Sequence, residues 1–285
     1  MNRLVIIGNG FDLAHGLKTS YKDFIDWYWE QRTKALPLEN SSISEDILCR
    51  FEVVQNRGYF RSWFHYAQDY NFFRNLFKDM DTESILNLLE NDDSCIVERS
   101  LLLERISKNI EKKGWTDIES DYYELLKENT NDIEKCQNIN KQLDFTREKL
   151  AEYLDTIQQP KAIEAVEQAL NADVLTDDVS TIEIKRSVEN IPEEYFVKIE
   201  DTTDLSYDSV AHSILLCFNY THTAKMYLDD TIRINHIHGS LDKPKEMIFG
   251  YGDEMDKDFK DLENRNENAL LENSKSIKYL ETSHY

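Results

Sequence analysis

The sequence predicts an α/β protein: a Rossmann-like parallel sheet with a large, mainly helical insertion. Three observations lead there. Short apolar runs lie near both ends of the chain and stop at small or polar residues, glycines cluster beside those runs, and a long middle stretch is almost free of glycine. Of eight glycines, Gly8, Gly10 and Gly16 open the chain, Gly239, Gly250 and Gly252 come near its end, and only Gly58 and Gly114 fall between. Glycine is placed where backbone turns sharply or nears a ligand, so tight loops are expected at the ends and regular elements between them.

Taken in order, the run from Arg3 to Ile7 ends at Gly8 and suits a buried parallel strand followed by a helix. Ser20 with Asp23 resembles a capping box ahead of a helix from Tyr21 to Glu30, whose apolar face carries Phe24, Ile25, Trp27 and Tyr28. From about residue 40 to 172 the pattern is helical almost throughout. It includes an aromatic stretch at residues 59–77 and an unbroken run from Asn131 to Gln158, ended by Pro160, that reads as one long helix. Residues 173–210 read as a linker, with a strand candidate at Thr181 to Ile184. The α/β pattern then resumes with strands from Ser213 to Phe218 and Ile232 to Ile237, a short helix from Thr221 to Leu228, and a third strand candidate from Met247 to Phe249. Residues 1–35 and 205–285 are expected to form the α/β nucleotide-binding core, with 36–204 as insertion and linker. The strands at 3–7, 213–218 and 232–237 are expected to be parallel neighbours in one sheet.

Composition narrows the function. Of the 285 residues, 40% are hydrophobic and 11% aromatic, enough for a real core. Acidic residues outnumber basic ones 55 to 33, for a net charge of -22. That field repels phosphate backbones and anionic lipid, so neither nucleic acid nor membrane is expected as a partner. No apolar run approaches the roughly 18 residues of a membrane span, and the start shows no cleavable signal pattern, so the expected location is cytoplasmic. Cys49, Cys95, Cys136 and Cys217 lack paired spacing and read as reduced thiols. A small-molecule nucleotide is the expected partner; a homo-oligomer stays open.

Three segments could carry chemistry. In LVIIGNGFDLAHG, a strand, a Gly-x-Gly turn and a helix follow one another, an order that brings backbone N–H groups to a phosphate. Leu13 stands where the Rossmann fingerprint has its third glycine, and a tight turn with Asp12 as N-cap is the equal alternative. Asn219 closes a strand, where α/β sheets bind ligands, and its amide could orient a ribose hydroxyl or a water; an N-cap is again the alternative. His236 and His238, at i and i+2, would share one strand face. His236 reads as satisfying backbone groups, and His238, followed by Gly239 and Ser240, as a general base. The same pair also suits a metal, with His222, His212 or Asp12 completing a site. Within Trp115-Thr116-Asp117-Ile118-Glu119, Thr116 and Glu119 read as a capping box, and the aromatics at residues 59–77 read as core.

Together, IIGNGFDLAHGLKTSYKDF, FNYTHT, INHIHGSL, IFGYGD and the GWTDIESDYYELL of the insertion resemble the AbiH family of bacterial phage abortive-infection proteins. More distantly, the order of Gly-x-Gly loop, strand ending in Asn and strand ending in His-Gly resembles the sirtuin-like nicotinamide-dinucleotide fold. That resemblance implies NAD as substrate or ligand. It places catalysis on His238 and Asn219 and cofactor binding on Gly8, Asn9, Gly10, Phe11, Asp12, Gly239 and Ser240. It also implies NAD hydrolysis as the activity, with a phage protein as a candidate trigger. Two departures stand out. Gly-Asn-Gly-Phe-Asp replaces the more usual Gly-Ala-Gly, and the chain stops at Tyr285 where AbiH relatives usually continue, so a truncated member with weak or absent turnover is expected. The competing readings are a non-catalytic nucleotide-sensing or partner-binding defence module and a metal-dependent hydrolase using His236 and His238.

Overall fold

The computed structural model describes residues 2–36, 43–53, 80–91, 95–157, 160–172, 212–252 and 257–281. In chain order its elements begin with β1 (Asn2–Ile7), α1 (Asn9–Ala14), α2 (Tyr21–Ala35), β2 (Ile43–Glu45), β3 (Cys49–Val53), α3 (Thr82–Asn91) and β4 (Cys95–Arg99). There follow α4 (Leu101–Lys113), α5 (Ile118–Glu128), α6 (Ile133–Thr156), α7 (Glu164–Asn171), β5 (His212–Cys217) and β6 (Ile232–His236). The last are α8 (Lys257–Asn264), α9 (Asn268–Leu271) and α10 (Lys275–Glu281). Two compact units result, one of residues 1–16 with 159–237, the other of 17–158 with 238–285. The aromatic stretch at 59–77, the strand candidate at 181–184 and the linker at 173–210 lie outside the described residues.

The first unit is built on a parallel sheet of order β1-β5-β6. The three apolar runs therefore pair as expected, and the register aligns Ile7 with Cys217 and Cys217 with His236 at their carboxyl ends. Ile7, Leu215, Cys217 and Ile232 pack with Leu170 of α7 and with Ala224 and Tyr227 of a 3-10 turn at Thr223–Tyr227. Arg3 caps the end of α7, donating to the Leu170 carbonyl at 2.5 Å and to that of Ala172, where a cation meets the negative end of the helix. Burial on both faces, as a parallel strand suggests, is not what the strands show. Leu4, Ile6 and Ile214 are 61%, 70% and 47% exposed, because α7 and the 3-10 turn pack against the opposite face. The helix expected at Thr221 to Leu228 is this 3-10 turn.

The second unit is mainly helical. Ser20 caps α2 through the expected capping box with Asp23. The long helix forms as α6, which packs against α2, α4, α5 and α9. Buried polar pairs fix these contacts. Tyr122 donates to Asn140 Oδ1 at 2.8 Å, Asn140 donates to the Ala269 carbonyl at 2.9 Å, and Leu102 N–H donates to Gln142 at 3.0 Å.

The expectation of helix almost throughout residues 40–172 is corrected by an antiparallel sheet of order β2-β3-β4. These strands have three or five residues, too few for a period to stand out. The alternation of Cys49, Phe51 and Val53 with Arg50 and Glu52 was the available signal. Arg50 pairs with Glu52 at 2.5 Å and Glu98 at 3.0 Å on the polar face, while Phe51 is buried. Met247 to Phe249 is buried but forms no strand; the nearest pairing is a single parallel bridge between Tyr251 and Ser274.

Candidate functional site

At the carboxyl edge of the first unit's sheet, β1 passes through Gly8 into α1 and β5 passes into Asn219. Asn219 is nearly buried at 8% exposure, and its amide donates to the Gly8 carbonyl at 3.0 Å. It is not an N-cap, since the 3-10 turn is preceded by His222 and has no side-chain cap. Nor is Asp12 an N-cap. Gly8 holds that position, and Asp12 is buried within α1, its Oδ2 accepting from Thr221 Oγ1 at 2.7 Å. Thr223 lies 3.2 Å behind Thr221, so the two hydroxyls form a short chain ending on the carboxylate. A Cβ added at Gly8 or Gly10 would meet nothing within 4 Å, so the turn has open space above it.

A second set of bonds fixes α1. His15 Nδ1 lies 2.7 Å from the Phe11 carbonyl, and its Nε2 lies 2.6 Å from the Tyr227 hydroxyl. A carbonyl only accepts, so Nδ1 carries the hydrogen and Nε2 accepts from Tyr227. Tyr227 in turn accepts from Ile163 N–H at 2.8 Å, and the Phe11, His15 and Tyr227 rings pack together. A lone histidine beyond a Gly-x-Gly turn has no spacing that reveals a partner 212 residues away, so the sequence alone gives His15 no role.

His236 Nδ1 donates to the Asn219 carbonyl at 3.1 Å, the backbone-satisfying role expected of it. Burial pushes the Cys217 thiol up to about 11; its bond to the Asn219 carbonyl pulls the other way and nearby Asp12 adds to the rise. That thiol is a packing group rather than a nucleophile. Among the described residues no three His, Cys, Asp or Glu side chains converge as a metal site, and no helix is long and apolar enough to cross a membrane.

Of the expected site residues, Gly8, Asn9, Gly10, Phe11, Asp12 and Asn219 belong to the first unit, and His238, Gly239 and Ser240 to the second. β6 ends at His236 and a turn follows, so the strand alternation that would give His236 and His238 one face does not extend to His238. In its own unit His238 Nε2 lies 2.8 Å from the Tyr279 hydroxyl, and its carbonyl accepts from Ile248 N–H at 2.8 Å. Ser240 donates to Asp242 at 3.3 Å. Gly239 has φ 76°, and a Cβ there would meet the Glu246 carbonyl oxygen at 2.8 Å.

Glu119 is the residue that the capping-box reading concealed. The N-cap of α5 is Asp117, which accepts from Ser120 N–H at 3.2 Å, while Thr116 donates to Asp121 at 2.6 Å. Glu119 instead accepts from Gly250 N–H at 2.9 Å and pairs with Lys275 at 3.1 Å, both side chains being 18% exposed. Burial raises its carboxyl above the ordinary value, against the pull of Lys275 and the Gly250 N–H. The Trp-x-Asp-x-Glu segment thereby holds the Phe-Gly-Tyr-Gly segment in place.

No curated protein and no solved structure matches the chain. The family described as bacteriophage abortive infection AbiH does match, over residues 4–284, and so takes in the turn at Gly8, Glu119, Asn219, His238 and the Gly250 segment together. Over nearly its whole length, then, the chain belongs to the AbiH family of bacteriophage abortive-infection proteins.

Proposed function

We propose that this abortive-infection protein binds NAD at the carboxyl edge of a Rossmann-like sheet in its first unit and cleaves the bond between nicotinamide and ribose. The observation that carries the reading is the bond from Asn219 to the Gly8 carbonyl beneath open space at Gly8 and Gly10. It joins the two motifs that the sirtuin-like resemblance assigns to one ligand. Open glycines let a dinucleotide approach the backbone closely, and beyond its bond to Gly8 the Asn219 amide still has a second N–H and an oxygen to orient a ribose hydroxyl or a water.

In this reaction water adds to C1′ of the ribose as the bond to the nicotinamide nitrogen breaks. Nicotinamide leaves with the bonding pair, ADP-ribose is the other product, and the water's proton goes to a base. Positive charge developing on the ribose is stabilised by Asp12 and the acidic surround. The loss of NAD arrests the infected cell.

The test is incubation of the purified protein with NAD, with and without a chelator, measuring free nicotinamide. Release unaffected by the chelator, and lost in Asn219→Ala, is the expected result. Release that depends on the chelator being absent favours the metal-dependent reading, and no release with NAD still bound favours a sensing module.

A further inference from the structure

We infer that Asp12 is the hydroxyl-reading residue of the nucleotide site, accepting a ribose hydroxyl through its Oδ1; the inference rests on the nucleotide reading above. Asp12 is 1% exposed, and a carboxylate has about four acceptor positions to fill. Its Oδ2 takes the Thr221 hydroxyl, whereas Oδ1 is buried and accepts nothing among the described residues. No Lys or Arg among the described residues pairs with it either. A buried carboxylate oxygen left without a donor is costly, and a donor from a ligand would remove that cost.

The character of that ligand group follows from the surroundings. Asp12 lies in the first turn of α1, a helix of six residues. A carboxylate there repels phosphate, so this layer of the site selects a hydrogen-bond donor. The neighbouring groups are hydroxyls, Thr223 and Thr221, aligned so that Thr221 already donates to the carboxylate. A ribose hydroxyl would supply the donor that Oδ1 lacks. Discrimination then comes from the sugar, because a ligand lacking the hydroxyl leaves a buried acceptor unpaired.

Calorimetric titration with ADP-ribose tests this, alongside two analogues in which either the adenosine or the terminal ribose carries hydrogen in place of its 2′ and 3′ hydroxyls. The wild-type protein should bind one analogue about ten-fold or more weakly than ADP-ribose, as expected for a lost hydrogen bond to a charged acceptor. In Asp12→Asn the Thr221 hydroxyl keeps the amide oxygen as its acceptor, which turns the NH2 group to the Oδ1 position. That variant should bind ADP-ribose more weakly and show a smaller hydroxyl effect, because its NH2 group can only donate to the hydroxyl oxygen and the charged acceptor is gone. Wild-type binding of both analogues as tight as that of ADP-ribose overturns the inference even if Asp12→Asn fails to fold, and so does an equal hydroxyl effect in a folded Asp12→Asn. Failure of the wild-type protein to bind ADP-ribose at all overturns the nucleotide reading and this inference together.

Discussion

The Asn219 amide donates to the Gly8 carbonyl at 3.0 Å, linking residues 211 positions apart at the ends of adjacent parallel strands. The bond is nearly buried and holds the turn after β1 against the segment after β5. Asn219→Ala should cost about 1 kcal/mol, the net worth of a buried hydrogen bond, read as a lower urea midpoint at unchanged slope. Asn219→Asp should cost more, because a carboxylate would face the Gly8 carbonyl with no hydrogen to offer.

Two glycines of the motifs should respond oppositely to substitution. At Gly250 a Cβ would meet the Asn273 carbonyl oxygen at 2.0 Å, and backbone cannot give way cheaply. Gly250→Ala is expected to lower stability by about 3 kcal/mol or more. Gly10 lies within α1 with nothing within 4 Å of an added Cβ, so Gly10→Ala should hold or raise stability, by up to about 1 kcal/mol. The same methyl would narrow the space over the turn, so NAD binding should weaken while the thermal midpoint holds.

Glu119 gives a pH signature. Its folded value is raised, by burial first, so the folded state holds the proton more tightly than the unfolded one does. The stability this contributes is complete below the ordinary value of 4.5 and is lost as pH rises through the raised folded value. Glu119→Gln removes the titration, so the stability of the wild type relative to the variant should decline across that window in urea melts. A difference that grows with pH would mean that the Lys275 pair dominates and the shift has the other sign.

Tyr227→Phe isolates one hydroxyl. The ring keeps its packing on Phe11 and His15, but His15 Nε2 and Ile163 N–H each lose a partner. A loss of about 1 to 3 kcal/mol is expected from the unpaired groups. A value near zero would mean that water replaces the hydroxyl without cost.

The parallel sheet was legible because β1 and β5 carry apolar runs ended by a turn or polar residue, and β6 alternates Ile232 and Ile234 with polar residues, patterns that survive without knowledge of contacts. Ser20 and Asp23 were legible for a similar reason, since a capping box lies within four residues. The β2-β3-β4 sheet was not, because strands of three to five residues carry too little alternation to outweigh the helical neighbourhood. Glu119 was hidden by a local pattern that competed with a distant one: Thr116-x-x-Glu119 fits a capping box, while its partners Gly250 and Lys275 lie far along the chain. The bonds of His15 to Tyr227 and of Asp12 to Thr221 were out of reach for the same reason.

Calorimetric titration of the purified protein with NAD, beside Asn219→Ala shown by circular dichroism to be folded, tests whether NAD binds at the Gly8–Asn219 edge. About one site per chain is expected for the wild type, with affinity reduced about ten-fold or more in Asn219→Ala. Absence of NAD binding by the wild type, or equal binding by the folded variant, would contradict binding at that edge.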